Sequence, residues 1–310
     1  MYSLDQLRQG FENPRAALRE LNRLYWTRLG RRKYNTDGTA FFDEDWDNLL
    51  ILDGCRYDTF ADVGRQFDLE GVLDFRESRG SATAEFLRGN LDGRDLSDTV
   101  YVTGSTIFYQ ERVWKDELDA EFHEVVDVWG DNIDYGDDGV PPEPVAEATR
   151  EAIEEYPNKR LLVHFVQPHA PYLGETGKRA FPDYRPNPLA DKFLGRIDAS
   201  EDLLREVYRE NLELVLTEVE DLLPDLPGKS VITADHGMLL GEREFPIPIR
   251  SYGHPERVYT DEMVEVPWFV SQHGERKEIV ADSSASAYRE KQTEEVDEQA
   301  REHLEQMGYL

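Results

Sequence analysis

The chain has one cysteine, Cys55, in 310 residues. An intrachain disulfide is therefore excluded, and the simplest setting is reducing and cytoplasmic. Lysine is also scarce: 8 Lys stand beside 27 Arg, against 65 Asp plus Glu, for a formal charge of −30. No apolar run approaches the ~20 residues that cross a bilayer. Residues 1–30 mix charge throughout and lack the apolar core of a signal peptide. Internal repeats and long low-complexity linkers are missing as well. A field this negative disfavours non-specific binding to nucleic acid, and to an anionic membrane for the same reason. Salt at ~1 M screens charges beyond about 3 Å. Low Lys, high Arg and excess acid together predict a halophilic protein of a high-salt cytosol, in which the acidic surface answers to the solvent. The plainer alternative is an ordinary acidic protein.

What is present can build a core. Hydrophobic residues make up 39% and aromatics 11% of the chain, which excludes a disordered acidic tail. The length admits one large α/β domain or two smaller ones. Leu4 to Leu29 reads as one or two amphipathic helices, with Leu18, Leu21, Leu24 and Tyr25 at helical spacing. Asn48–Asp53 is a short apolar run that ends in an acid, the pattern of a buried parallel strand. Further strands are expected at Thr99–Thr103, Arg160–Val166, Ser230–Ala234 and Val264–Val270. Helices are expected at Pro142–Tyr156 and Ser200–Leu223, and a charged surface helix at Ser283–Leu310. Strands alternating with helices predict an α/β fold, a mostly parallel sheet sandwiched by helices with helical N- and C-terminal additions. The expected division is an N-terminal extension over 1–45, an α/β domain over 46–275 and an acidic C-terminal helix over 276–310.

In open α/β sheets, ligands bind beyond the carboxyl ends of the strands. Three such ends carry Asp53-Gly-Cys-Arg-Tyr-Asp58, Gln167-Pro-His-Ala-Pro171 and Asp235-His-Gly237. Gathered carboxylates and imidazoles are the composition of a divalent metal site. Asp235-His236 is the sharpest signal, although alone it also reads as a chance pair, and Asp53 alone as a helix cap. Arg79-Gly-Ser-Ala-Thr-Ala-Glu-Phe-Leu87 places hydroxyls at the start of a helical segment, near free N–H groups that favour an anion. That suits an attacking hydroxyl, and equally a helix cap, since Ser81 and Glu85 nearly fit a capping signature. His254, in Ser251-Tyr-Gly-His254, is a weak candidate for proton transfer.

The order of these segments resembles the alkaline phosphatase superfamily, in its sulfatase-like branch and of a haloarchaeal type. It is carried by Asp53 with Arg56, Gly80-Ser81, Gln167-Pro-His-Ala-Pro-Tyr172, Thr233-Ala-Asp-His-Gly-Met-Leu-Leu-Gly-Glu242, His254 and Val266-Pro267, over roughly 48–270. The resemblance implies that Asp53, Asp235 and His236 bind at least one divalent cation (Mg, Mn, Ca or Zn). Ser81 would be the nucleophile and a further ligand, with Thr83 the second choice. His169 and His254 would lie near the substrate oxyanions or a second metal, and Arg56 would bind the anion or support the site beside Asp58. The implied activity is metal-dependent hydrolysis or transfer of a phosphate or sulfate ester on a small molecule or glycan. A non-catalytic metal-stabilised binding protein and a phosphosugar mutase are the alternatives. The chain departs from sulfatases in lacking a Cys-x-Pro-Ser-Arg sequence, and no Asp-x-x-x-His pair of two-zinc phosphatases is evident. The pocket walls are expected from Val102–Trp129 and Leu173–Ile197. Oligomeric state is left open.

Overall fold

A computed structural model of the chain describes residues 14–131, 140–181 and 187–281. The expected C-terminal helix from Ser283, and the start of the N-terminal one, lie outside the described residues.

Among the described residues, nine strands run in chain order as β1 (Asn48–Leu52), β2 (Val72–Glu77), β3 (Arg94–Thr103), β4 (Ala120–Asp127), β5 (Arg160–Phe165), β6 (Gly228–Thr233), β7 (Leu239–Arg243), β8 (Arg250–Gly253) and β9 (Glu265–His273). Seven form one sheet in the order β2-β9-β6-β1-β5-β3-β4, and β7 and β8 form a separate hairpin. From β6 to β4 the pairing is parallel. The β9 strand runs antiparallel to both β6 and β2, and β2 forms that edge. The α/β architecture with a mostly parallel sheet is thus as the alternation of apolar runs and helical patterns requires.

All five residues of β1 are buried, as are the last five of β5. Burial on both faces requires cover on both, which is why these segments read as unbroken apolar runs. The helix Pro142–Glu155 packs on β3 and β5, and Glu201–Leu222 packs on that helix. Ser200 caps the latter by accepting a hydrogen bond from the Leu203 N–H, with Glu201 and Asp202 in the first turn. Phe41, Phe86 and Trp268 stack edge to face in the core. The sequence gives no apolar run for β2, an edge strand whose residues Val-Leu-Asp-Phe-Arg-Glu are largely exposed. The β4 strand at the other edge, Ala-Glu-Phe-His-Glu-Val-Val-Asp, also alternates rather than running apolar.

The parallel order puts β1 between β5 and β6. Ile51 pairs with Thr233, so Asp53 and Asp235 each stand two residues beyond a paired position. The Asp53 N–H bonds the Phe165 carbonyl, and the His169 N–H bonds the Asp53 carbonyl, which brings the β5 end to the same place.

Candidate metal centre and active site

Asp53, Asp235 and His236 converge: one ligand atom of each lies within 4.8 Å of the others, and all three residues are buried. His236 Nε2 is 3.5 Å from Asp53 Oδ1 and 3.4 Å from Asp235 Oδ2. Its Nδ1 is 2.7 Å from the Gly237 carbonyl oxygen. A carbonyl only accepts, so Nδ1 carries the proton and the neutral ring turns its Nε2 lone pair towards the two carboxylates. Asp53 Oδ1 and Asp235 Oδ2 are buried without a hydrogen-bond partner. Two orphaned carboxylate oxygens facing an imidazole lone pair are costly in a dry interior unless a cation sits among them. The donor set therefore fits a divalent ion of mixed oxygen and nitrogen preference.

The charges behave accordingly. Burial raises the Asp53 pKa, but the imidazoles of His164, His169 and His236 around it outweigh that and hold Asp53 ionised below the usual carboxylate range. Burial, and then the Asp53 charge beside it, raise Asp235. Environments that push two neighbouring carboxyls apart are typical of functional sites.

The hydroxyl at this centre belongs to Thr83. Its Oγ1 donates to Asp53 Oδ2 at 3.2 Å and lies 3.5 Å from His236 Nε2. Thr83 is the first residue of the helix Thr83–Leu91, and Ala82 occupies the cap in extended conformation. The hydroxyl therefore sits among free helix N–H groups at the positive end of the dipole.

Ser81 is not brought to the centre. Its Oγ donates within bonding distance of Glu85 Oε2 (2.9 Å) and the Pro255 carbonyl (3.0 Å). Glu85 also accepts from the Ser81 N–H, the Arg257 N–H and the Tyr259 hydroxyl, and burial raises its pKa. The pair anchors the loop beneath the helix, close to the capping alternative. Arg56 is likewise committed elsewhere. It bonds Asp58 at 2.8 and 2.5 Å, Glu242 at 2.7 Å and the Met238 carbonyl at 3.1 Å, so it locks the loop after β1 to the loop after β6.

His169 and His254 do meet, Nε2 to Nε2 at 2.9 Å, and the His254 ring stacks on His236 with centroids 4.6 Å apart. His169 Nδ1 faces the Ala170 carbonyl at 2.6 Å, so its Nε2 accepts and His254 donates. Burial, then the neighbouring His236 and His169, hold the His254 pKa well below the ordinary imidazole value.

Asp53, Thr83, His169 and His254 line a cavity of about 220 Å³, whose far wall includes Thr106, Gln110 and Lys115. The stretch 102–129 supplies that wall, whereas no residue of 173–197 is among the lining residues. Lys115, which pairs with Glu111 at 2.8 Å, is the ammonium among them.

Two residues of the centre escaped the sequence reading. His164 on β5 lies 3.6 Å from Asp53 Oδ2, and its Nδ1 is 2.8 Å from the Tyr101 hydroxyl on β3. Both are fully buried inside apolar strands, so they read as core. An imidazole on a buried strand next to the one that ends in Asp53 was the available signal.

No family model and no curated protein matches the chain. Among solved structures it is similar to the C-terminal periplasmic domain of EcEptC from Escherichia coli in complex with Zn, with 14% identity, TM-score 0.47, and coverage of 80% of this chain and 76% of that one. It is similar to the integral membrane protein lipooligosaccharide phosphoethanolamine transferase A (EptA) from Neisseria meningitidis, with 14% identity, TM-score 0.46, and coverage of 72% and 47%. It is also similar to the phosphonate monoester hydrolase SpPMH from Silicibacter pomeroyi, with 18% identity, TM-score 0.31, and coverage of 53% and 46%. The chain thus spans about half the length of that EptA protein. Among the described residues, no helix is long and apolar enough to cross a membrane.

Proposed function

We propose that this chain is a metal-dependent enzyme that hydrolyses or transfers a phosphate or sulfate ester, with Thr83 as its nucleophile. The observation that carries this reading is the Thr83 hydroxyl at a helix N-terminus, 3.2 Å from Asp53 and 3.5 Å from His236, at the floor of a cavity. Asp53, Asp235 and His236 would hold a divalent ion, which would supply Lewis acidity to the Thr83 oxygen and to the ester oxyanion. The free N–H groups at the start of Thr83–Leu91 stabilise negative charge on the transferring group. Thr83 Oγ1 forms a bond to phosphorus or sulfur as the ester oxygen leaves, and the hydroxyl proton passes towards the Asp53 side. The ester oxygen leaves with the proton that Thr83 lost, relayed by way of Asp53, beside the neutral His254–His169 pair. Water or an acceptor alcohol then takes the group from Thr83, which regains its proton. Lys115 on the far wall binds the remaining anionic part of the substrate. A salt-rich cytosol is the setting that the −30 charge supports.

The test is to purify the chain in concentrated salt, measure bound metal, and assay aryl phosphate, phosphodiester and sulfate esters with Asp235→Ala, Thr83→Ala and Ser81→Ala. The expected order is loss of metal and turnover in the first, loss of turnover with metal retained in the second, and retained turnover in the third. Metal bound by the wild type with no turnover on any ester, or full turnover in Thr83→Ala, overturns the enzyme reading and favours a metal-stabilised binding protein.

A further inference from the structure

We propose that the helix Pro14–Trp26, the turn that follows it to Lys33, and the loop Phe245–Ile249 form one docking surface for an anionic lipid membrane. Residues 14–33 hold seven basic side chains (Arg15, Arg19, Arg23, Arg28, Arg31, Arg32 and Lys33) and one acid, Glu20. That is +6 within the segment, and +4 on the face once Asp37 and Glu244 are counted, in a chain of −30. The nearby acids are engaged: Glu20 by Arg23, Asp37 by Arg32 and Glu244 by Arg19. Among the described residues, no carboxylate lies within ion-pair distance of Arg28, Arg31 or Lys33.

The apolar part of the surface is exposed and rigidly held. Leu21 and Tyr25, one helical turn apart, are 52% and 53% exposed, Phe245 is 53% and Leu29 is 78%. Tyr25, Trp26 and Phe245 form a single ring cluster with centroids 5.4 to 6.1 Å apart. The loop Phe245-Pro-Ile-Pro-Ile249 carries no charge. Buried Asn22 clamps it with two hydrogen bonds to Ile247, at 2.8 and 2.9 Å, and Trp26 Nε1 donates to the Phe245 carbonyl at 2.8 Å. Arg28 and Leu29 both have positive φ, 50° and 61°. Residues with a Cβ seldom adopt this conformation, and together the two hold a leucine out into solvent between arginines.

Basic residues that flank exposed Leu, Tyr and Phe match the interface of an anionic bilayer, where apolar side chains enter the acyl boundary and cations meet headgroups. At ordinary ionic strength charges beyond about 8 Å are largely screened, so the local +4 acts in place of the total. A whole-chain charge that disfavours anionic membranes is therefore reversed on this face. A long RNA would need no exposed leucines and would meet the acidic remainder of the surface. Near the end of the described residues, the Val280 carbonyl is held by Lys159, before the start of β5 and at the sheet edge opposite the candidate site. Arg19 bonds Ser251 and the Tyr252 carbonyl, on the strand that leads to His254, so the docking face adjoins the cavity. The proposal does not depend on catalysis at that site.

The test is flotation of the full chain with vesicles of phosphatidylcholine alone and of phosphatidylcholine mixed with phosphatidylglycerol, in dilute and in concentrated salt. The wild type is expected to bind the mixed vesicles. Each basic residue near such a surface strengthens binding about fivefold, so Arg28→Gln/Arg31→Gln/Lys33→Gln is expected to weaken it on the order of a hundredfold. Leu29→Ser, whose side chain supports no core, is expected to weaken it as well, with unchanged thermal melting. Absence of vesicle binding by the folded wild type overturns the proposal. So does capture of single-stranded RNA or of the peptide 282–310 in place of vesicles, with Leu29→Ser without effect.

Discussion

Asp235→Asn should stabilise the metal-free protein while abolishing its response to metal. Asp53 and Asp235 present ligand atoms within 4.8 Å in a site where both are buried. Two like charges at that distance repel by about 3.5 kcal/mol at an effective permittivity of 20. Asp235 is the member whose pKa is raised, by burial first and then by Asp53. A carboxyl raised on folding binds its proton more tightly in the folded chain. The metal-free fold therefore loses stability as pH climbs from the ordinary carboxylate range through the raised value, and carries the whole penalty above it. Asparagine keeps the shape and removes the charge. His164 and His236 already offset part of the repulsion, so the expected gain at neutral pH is roughly 1–3 kcal/mol. That corresponds to roughly 2–10 °C in melting temperature for a chain of this size. Added divalent ion should do the opposite sorting: the wild type gains about 2.7 kcal/mol at a hundred times the dissociation constant, and Asp235→Asn gains little. The assay is calorimetric melting after exhaustive chelation, with and without each candidate metal, from mildly acidic to neutral pH. If chelated wild type and Asp235→Asn melt together at neutral pH, and metal raises both equally, the two carboxylates do not form a cation site.

Thr83→Ser should keep measurable turnover and Thr83→Ala should not, with the same metal-induced shift in melting temperature in both; equal loss in the two would refute a role for the hydroxyl. Ser81→Ala should cost about 1–3 kcal/mol of stability by leaving Glu85 short of a donor, seen in chemical denaturation, while turnover per folded molecule stays unchanged. Tyr101→Phe and His164→Gln should weaken metal affinity by about 10- to 100-fold through loss of the partner that orients Asp53, read by competition with a chromogenic chelator. Arg56→Ala should destabilise by about 1–3 kcal/mol because the Met238 carbonyl loses its buried donor while Arg205 still pairs Glu242, with a lowered denaturation midpoint as the readout.

Where the sequence was legible, the reason is local. Buried parallel strands must be apolar along their whole length, so an acid that ends such a run marks the sheet's carboxyl edge, and Asp53 and Asp235 could be placed at one edge before any coordinates. The choice between Ser81 and Thr83 was not legible, because it turns on which residue caps the helix. Ala82 does, which puts Thr83 on the cavity side and leaves Ser81 to Glu85 below. Arg56 has the right composition for an anion ligand, yet its sequence neighbour Asp58 takes its guanidinium together with Glu242 on β7, which only the fold brings near. Tyr101 and His164 were invisible for the converse reason: a polar group inside a buried strand looks the same in sequence whether it packs or positions. The edge strands β2 and β4 were missed because half-exposed strands carry charge where central ones cannot.

The pairing of Ile51 with Thr233 makes the site a gauge of sheet alignment. A slip of one residue between β1 and β6 would move Asp53 about 3.3 Å along its neighbour and turn it to the other face. Chemistry at this centre is therefore indexed to two short strands, not to the loops that carry most of the named residues. A single-residue deletion in β1 or β6 should erase the centre even in a chain that still folds. The same indexing offers a design rule: a new ligand is best introduced two residues beyond a paired position on β1, β5 or β6, where the backbone already fixes its height.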